Sequence, residues 1–227
     1  MPRIMNSSFV SFSTVRSVIA MGTALLLCAC ATKQAQYDYT AFRESRPRSI
    51  LVLPPINQSP EIKAPASFLA TSAVPLAESG YYVIPVALSE EALRQNGVTV
   101  AEEAHAIELG KLREIFGADT ALYITVTRFG TSYRVISSVT EAAASARLVD
   151  LRTAQELWSG QAAVVLGSDS GGGGLIGALV SAIVKQIVNT VSDKAHDAGR
   201  VANYQMLSAG HQNSILFGPY HPKFGTD

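Results

Sequence analysis

The period of hydrophobic and polar positions changes several times along the chain, and each change marks an element. Ser49-Ile50-Leu51-Val52-Leu53 is apolar without alternation and is closed by Pro54-Pro55. This predicts a central strand, buried on both faces, that ends where backbone donors run out. Ala66 to Ser79 is rich in Ala and Leu and stops at Gly80, which predicts a helix bent near Pro75. A second apolar run, Tyr81-Tyr82-Val83-Ile84, is closed by Pro85. Strand, helix and strand in that order predict a βαβ unit with a right-handed crossover.

Ser89 and Thr99 stand where helix N-caps are wanted, and Thr99 with Glu102 forms a capping-box pattern. The helix this starts would carry Ala101, Ala104, Leu109, Leu112, Ile115 and Phe116 on one face and end at Gly117. Leu122, Ile124 and Val126 then alternate with Tyr123, Thr125 and Thr127, a strand period that continues from Tyr133 to Val139 after an expected turn at Gly130. The run Ala142 to Ala146 favours helix by propensity. It is nonetheless read as part of a hairpin, because Arg147-Leu148-Val149-Asp150-Leu151 and Gln155-Glu156-Leu157-Trp158 flank a polar turn at 152–154.

Gly167-Ser168-Asp169-Ser170-Gly171-Gly172-Gly173-Gly174 is a flexible linker by composition, and it opens the most apolar stretch of the chain outside its first thirty residues, Leu175 to Val191. Along that stretch Gly177 and Ser181, and likewise Ala178 and Ala182, recur every four residues, so small side chains line one helix face. Two readings follow: a helix buried against the sheet, and a subunit interface formed by Gly177, Ala178, Ser181 and Ala182. Membrane insertion is the lesser alternative, since the ten residues before Lys185 span only about half a hydrocarbon core. A more polar continuation reaches Leu207. One α/β domain over about 48–207 follows from this order of elements.

The first residues carry Arg3 and Arg16, no acid, and an apolar run from Val18 to Leu27 that is too short to span a bilayer, the pattern of a signal peptide. Leu27-Cys28-Ala29-Cys30 resembles the lipobox of bacterial lipoproteins. The resemblance implies cleavage before Cys30, a diacylglyceryl group on its thiol and acylation of the new amine. Cys28 is excluded as the modified residue, because Leu27 would then fill a position reserved for a small side chain. Each buried methylene contributes about 0.8 kcal/mol, so two or three acyl chains make a lasting anchor. Ala31 stands where an Asp would signal inner-membrane retention, which favours the outer membrane, with the domain facing the periplasm.

Composition narrows the chemistry. Both Cys lie within the first thirty residues, so disulfide scaffolds and structural zinc clusters are excluded. Lys plus Arg equal Asp plus Glu at 18 each, the pI is near 6.9 and aromatic residues make up 7%. No concentrated basic face is left to displace phosphate counterions, and no nucleic-acid partner is expected. Gly172, Gly174 and Gly177 match a dinucleotide fingerprint, yet no strand with a ribose-binding acid follows Val191. Ser168-Asp169-Ser170-Gly171-Gly172 is similar to a trypsin-like nucleophile loop but lacks its partner segments. His105, His196, His211 and His221 fall at no metal-ligand spacing, and His105 is read as a core or boundary imidazole. No catalytic, cofactor or metal site is therefore expected, and no enzyme.

Four segments carry a wider resemblance: Tyr37-Asp38-Tyr39-Thr40-Ala41-Phe42, Pro54-Pro55-Ile56-Asn57, Pro75-Leu76-Ala77-Glu78-Ser79-Gly80-Tyr81-Tyr82-Val83 and Gly218-Pro219-Tyr220-His221-Pro222. In order and identity they resemble a family of bacterial lipoproteins defined by a domain of unknown function, over nearly all of residues 30–223. The resemblance implies a fold similar to the N-terminal domain of TolB, a three-layer sandwich. Its sheet would be mixed, mostly parallel and of about five strands, flanked by helices, with a long C-terminal helix added. It also implies a neighbouring CsgG-like lipoprotein. The expected organisation is a signal peptide at 1–29, a lipid-anchored tether at 30–48, the α/β domain at 49–207 and a C-terminal tail at 208–227. The expected role is a non-enzymatic accessory of an outer-membrane assembly, transport or secretion complex, working as a homodimer or with other envelope lipoproteins. The alternative is a periplasmic binder of a small molecule or envelope polymer.

Replacing Cys30 by Ser removes the only acceptor thiol beside Ala29. Metabolic labelling with a fatty-acid probe is expected to mark the natural chain and to leave Cys30→Ser unlabelled as a longer precursor; label on the variant would refute the assignment.

Overall fold

The computed structural model describes residues 37–133, 138–167 and 193–227. The apolar run after Arg48 forms β1 (Ser49–Val52), and Ile50, Leu51, Val52 and Leu53 are all buried. In chain order the described elements are α1 (Thr40–Ser45), β1, β2 (Ile56–Asn57), α2 (Ala64–Glu78), β3 (Tyr82–Val83), α3 (Val86–Gln95), α4 (Ala101–Ala106) and α5 (Leu109–Phe116). They continue with β4 (Thr120–Tyr133), β5 (Ser138–Asp150), β6 (Glu156–Gly167) and α6 (Lys194–Leu207). The strands form one sheet in the order β3-β1-β4-β5-β6, with β2 paired beside β4. β1 is thus interior to the sheet, as its pattern predicts. The sheet is mixed and has six strands. Its β1–β3, β1–β4 and β2–β4 pairings are parallel, and its two long ladders, β4–β5 and β5–β6, are antiparallel.

Alternation along β1 and β4 divides the interior into two cores. Leu51, Leu53, Ala121 and Tyr123 join Val149, Leu112 and Ala118 on one face, roofed by α4 and α5. The opposite face carries Leu122, Ile124 and Val126 under α2 and α6. Helices on both faces make the three expected layers. Small residues let α6 approach: Gly199 lies where a Cβ would come within 3.0 Å of the Phe129 ring. Asn203 Nδ2 ties the same helix to α2, donating to Phe68 O at 2.8 Å and Thr71 Oγ1 at 2.7 Å. The run Ala142 to Ala146 is strand, as read, because it pairs on both sides and Ala142, Ala144 and Ala146 lie buried in the sheet.

Several expectations need correction. The Thr99–Glu102 capping box does not form: α4 starts at Ala101 behind an extended Val100 with no side-chain cap. Ser89 is inside α3, whose N-cap is Pro85, and its Oγ donates to Val86 O at 3.1 Å. The single helix expected up to Gly117 is two, because Ile107 and Glu108 are extended (ψ 136° and 135°). That break rotates the pattern, so Leu112 is buried while Ile115 is 50% exposed. No turn occurs at Gly130, where β4 runs on to Tyr133; the glycine supplies a φ of 126° within the strand.

The tether expected over 30–48 does not extend to Arg48. Phe42 is 4% exposed on α1, with Tyr39 edge-on to it at 6.4 Å. The expected tail at 208–227 is likewise packed. Gly218 N donates to Ser79 O at 2.8 Å and Tyr220 N to Gly80 O at 3.1 Å, and Ile215 is fully buried. This contact demands glycine: a Cβ on Gly218 would lie 2.3 Å from Gly80 O, and Gly80 itself has φ 91°. Asp38–Asp227 forms one compact unit.

Trp158 is 1% exposed, and its Nε1 donates to Asn213 O at 3.0 Å. The ring lies over Gly160, whose Cβ would meet Trp158 Cζ2 at 2.2 Å. Gly160→Ala is expected to cost about 1–3 kcal/mol by overpacking, seen as a lower urea midpoint at unchanged slope. An unaltered midpoint would show that the ring moves aside freely.

Candidate functional site

Among the described residues the roof of α4 and α5 covers the β1 side of the sheet and leaves β5 and β6 uncovered on the same face. Register sets Arg147 opposite Ser159, Ser145 opposite Gln161 and Glu141 opposite Val165. Ser145, Arg147, Ser159, Gln161, Ala163 and Val165 are all exposed there, Val165 by 55%. Strands about 4.8 Å apart with a rise of about 3.4 Å per residue make this a long surface on which small side chains alternate with longer polar and charged ones.

At the border of the open face three side chains stack. The Arg147 guanidinium sits 4.4 Å from the Tyr123 ring centroid, and His105 meets that ring edge-on at 5.0 Å. His105 Nε2 is 2.9 Å from Pro54 O, so Nε2 carries the proton of the neutral ring and Nδ1 is the titrating nitrogen. Burial, with the Arg147 charge adding to it, pushes the His105 imidazole below its ordinary value, against the opposing pull of Pro54 O and Glu102. Burial raises the Tyr123 phenol. The guanidinium, the phenol ring and the imidazole thus form one continuous stack between the roofed core and the uncovered strands.

A second constellation occupies the end of the sheet at which β1, β3 and β4 begin, here the lower end. Phe42, Arg46, Pro47, Tyr81, Phe217 and Phe224 line a cleft of about 280 Å³ between α1 and the C-terminal residues. Tyr81 Oη donates to Leu216 O at 2.6 Å, and burial pushes its phenol far above the usual range. Arg43 donates to Asp227 O at 3.0 Å. Nearby Asp150 is fully buried at the β5–β6 turn. Burial pushes its carboxyl up, but hydrogen bonds from Ser45 Oγ and the Arg152 and Thr153 amides, with the Arg152 charge, outweigh that and hold it below the usual range.

Cys30 lies outside the described residues, as do the proposed interface positions Gly177, Ala178, Ser181 and Ala182 and the glycine fingerprint at 172–177. His105 is the boundary imidazole its helix position implied. Sequence reasoning missed the pairing of Ser67 Oγ with His196 Nδ1 at 2.8 Å, which crosses from α2 to α6 beside Gly199. Ser67 is 7% exposed, and the pair clamps the two helices together. Among the described residues no three His, Cys, Asp or Glu side chains gather as metal ligands, and no helix is long and apolar enough to cross a membrane.

Residues 37–220 match the family described as "Putative lipoprotein GNA1162-like". The chain belongs to this GNA1162-like family. A relative from Neisseria meningitidis serogroup B, "Putative lipoprotein NMB1124/NMB1162", is 48% identical over 203 residues, covering 89% of this chain and 94% of the relative. The crystal structure of lipoprotein GNA1162 from Neisseria meningitidis is 53% identical with a TM-score of 0.53, covering 63% of this chain and all of that one. A PelC dodecamer from Paraburkholderia phytofirmans is more distant, 14% identical with a TM-score of 0.42, over 70% of this chain and 86% of that one. The GNA1162-like match begins at Tyr37 and so takes in α1, and it ends at Tyr220 within the residues that pack on Gly80.

The His105 geometry has a consequence for stability. Its folded-state value lies below the unfolded one near 6.5, so between the two the unfolded chain binds more protons and stability falls as pH drops. Above the unfolded value this group has no effect. The urea midpoint is expected to decrease between about pH 7.5 and about pH 5.5, and less so in His105→Gln, whose amide keeps a donor for Pro54 O without titrating. Equal decreases in both proteins would remove His105 from the account.

Proposed function

We propose that the protein is a lipid-anchored, non-enzymatic lipoprotein of the cell envelope that works through protein contacts. In this reading Cys30 carries the anchor in the outer membrane, the domain faces the periplasm, and the role is that of an accessory in an assembly, transport or secretion complex. The observation that carries it is the half of the sheet that no described helix roofs on this face, where Ser145, Arg147, Gln161, Ala163 and Val165 are exposed beside a covered core. Its small side chains let another chain approach closely, and its polar ones offer that chain hydrogen-bonding groups. The family description supports the anchor.

Binding of a small molecule or polymer has less support. The apolar cleft at the lower end is closed in by the chain's own C-terminal residues, and its hydrogen-bonding groups are engaged within the protein, Arg43 with Asp227 O and Tyr81 with Leu216 O. The partner is a second copy or another envelope lipoprotein of the CsgG-like kind, met through the open face or through Gly177, Ala178, Ser181 and Ala182.

Ala163→Arg and Ala182→Trp test the two surfaces. Exposed substitutions change stability little, so the urea midpoint of Ala163→Arg should hold while its assembly in sedimentation, or its co-purified envelope partner, is lost. A natural chain that stays monomeric at tens of micromolar and retains no partner from solubilised envelopes would overturn the reading.

A further inference from the structure

We propose that the lower end of the domain, formed by α1 and the C-terminal residues, lies against the phospholipid surface that holds the anchor. The inference rests on acylation of Cys30 as read above, and adds a face and an orientation to it.

The first support is the length of the leash. The compact unit begins at Asp38, eight residues after Cys30. Even fully extended, that segment reaches about 29 Å at about 3.6 Å per residue. β4 alone has 14 residues, about 44 Å from Thr120 to Tyr133 at about 3.4 Å per step. The leash is shorter than the sheet is long. It is attached at the lower end, because α1 follows Asp38 directly and is bonded there to the β5–β6 turn through Ser45 and Asp150, and to Asp227 through Arg43.

Surface chemistry is the second support and is independent of the first. Among the described residues three aromatic side chains stand well exposed: Tyr220 at 67%, Tyr82 at 55% and Phe224 at 47%. All three belong to the lower end. Tyr82 pairs with Ser49 where β1 begins, Tyr220 N is bonded to Gly80 O, and Phe224 lines the cleft with Phe42. Among the described residues the most exposed aliphatic side chain, Ile62 at 90%, lies toward the other end, beside Glu61 next to Gly130 of β4. Aromatic rings are the side chains that favour the headgroup layer, having an apolar body and, in Tyr, a polar tip. Arg43, Arg46 and Lys223 flank them and can extend toward phosphate. Asp38, Glu44 and Asp227 balance those cations. The rings, and not net charge, therefore hold the contact, and it should persist at high salt. Affinity need not be high, because a short tether raises the local concentration of the face at the surface to about the millimolar range.

The test uses the acylated full chain on vesicles of phosphatidylcholine and phosphatidylglycerol. No thiol other than Cys30 remains after cleavage, and Cys30 is blocked by its lipid, so one introduced Cys takes a fluorescent label alone. Pro222→Cys and Thr226→Cys, exposed positions beside Tyr220 and Phe224 that leave all three rings in place, report on the lower end. Ile62→Cys, at a position 90% exposed beside Glu61, which adjoins Gly130 of β4, reports on the other. When brominated lipid replaces ordinary lipid, probes at 222 and 226 are expected to lose emission while the probe at 62 keeps it, at low and at high salt. Equal emission at all three positions, or equal loss at all three, on vesicles that carry the protein with them in flotation would overturn the orientation. Protein that fails to float would overturn the anchor itself, and this proposal with it.

Discussion

β4 is the strand on which both cores depend, and one irregularity in it decides what each core contains. Its register with β5 shifts between Val126 and Arg128. In an unbroken strand Arg128 would share the face of Val126 and point beneath α2 and α6, where a guanidinium has no solvent. The extra residue at Thr127 reverses the alternation. Phe129 then turns into the helical core, edge-on to Phe68 at 6.1 Å, and Arg128 emerges on the open face 3.9 Å from Glu141. Among the described strands β4 alone has parallel neighbours on one edge, β1 and β2, and an antiparallel neighbour on the other, β5. β5, and through it β6, is placed by that ladder.

Much of this was legible in the residues because the signals are local. The continuous apolarity of Ile50 to Leu53, the Pro closures after it and after Ile84, and the alternation of Leu122, Ile124 and Val126 each concern a few adjacent positions. The hairpin across Arg152 to Ala154 was visible because a polar turn separates two apolar segments, even though the run from Ala142 favours helix by propensity. Burial between two neighbouring strands is worth more than the few tenths of a kcal/mol per residue by which propensity differs.

What escaped the residues depends on partners distant in the chain. Phe42 is one apolar position in a polar segment, and only the C-terminal residues packed beside it turn that segment into a helix against the core. The Arg147–Tyr123–His105 stack needs the β4–β5 register and the height of α4 above the sheet, neither of which is encoded in spacing. The break at Ile107 and Glu108 has no Gly or Pro to announce it. Ala104 and Leu112 are both fully buried, one from each of the two helices. Gly218 was visible as part of a motif, but its steric reason, the carbonyl of Gly80, is more than a hundred residues away.

The two ends of the folded unit meet at one end of the sheet, and this bears on how the open face can be used. Chain entry at Asp38 and the packed C-terminal residues close the lower end, while the long antiparallel strands run away from it. With the anchor placed as proposed, those strands rise from the membrane and the open half of β5 and β6 faces sideways, parallel to the bilayer plane. A partner held in the same membrane would meet that face edge-to-edge at fixed height, with most of its translational freedom already restricted by its own anchor. The entropic cost of association would then be smaller than between free proteins, and a surface of small, weakly polar side chains could suffice where a soluble pair would need a larger apolar core. The modest chemistry of Ser145, Gln161 and Ala163 is in that sense matched to a tethered protein, and a face rich in Leu and Phe would instead have driven association before the chain reached its membrane.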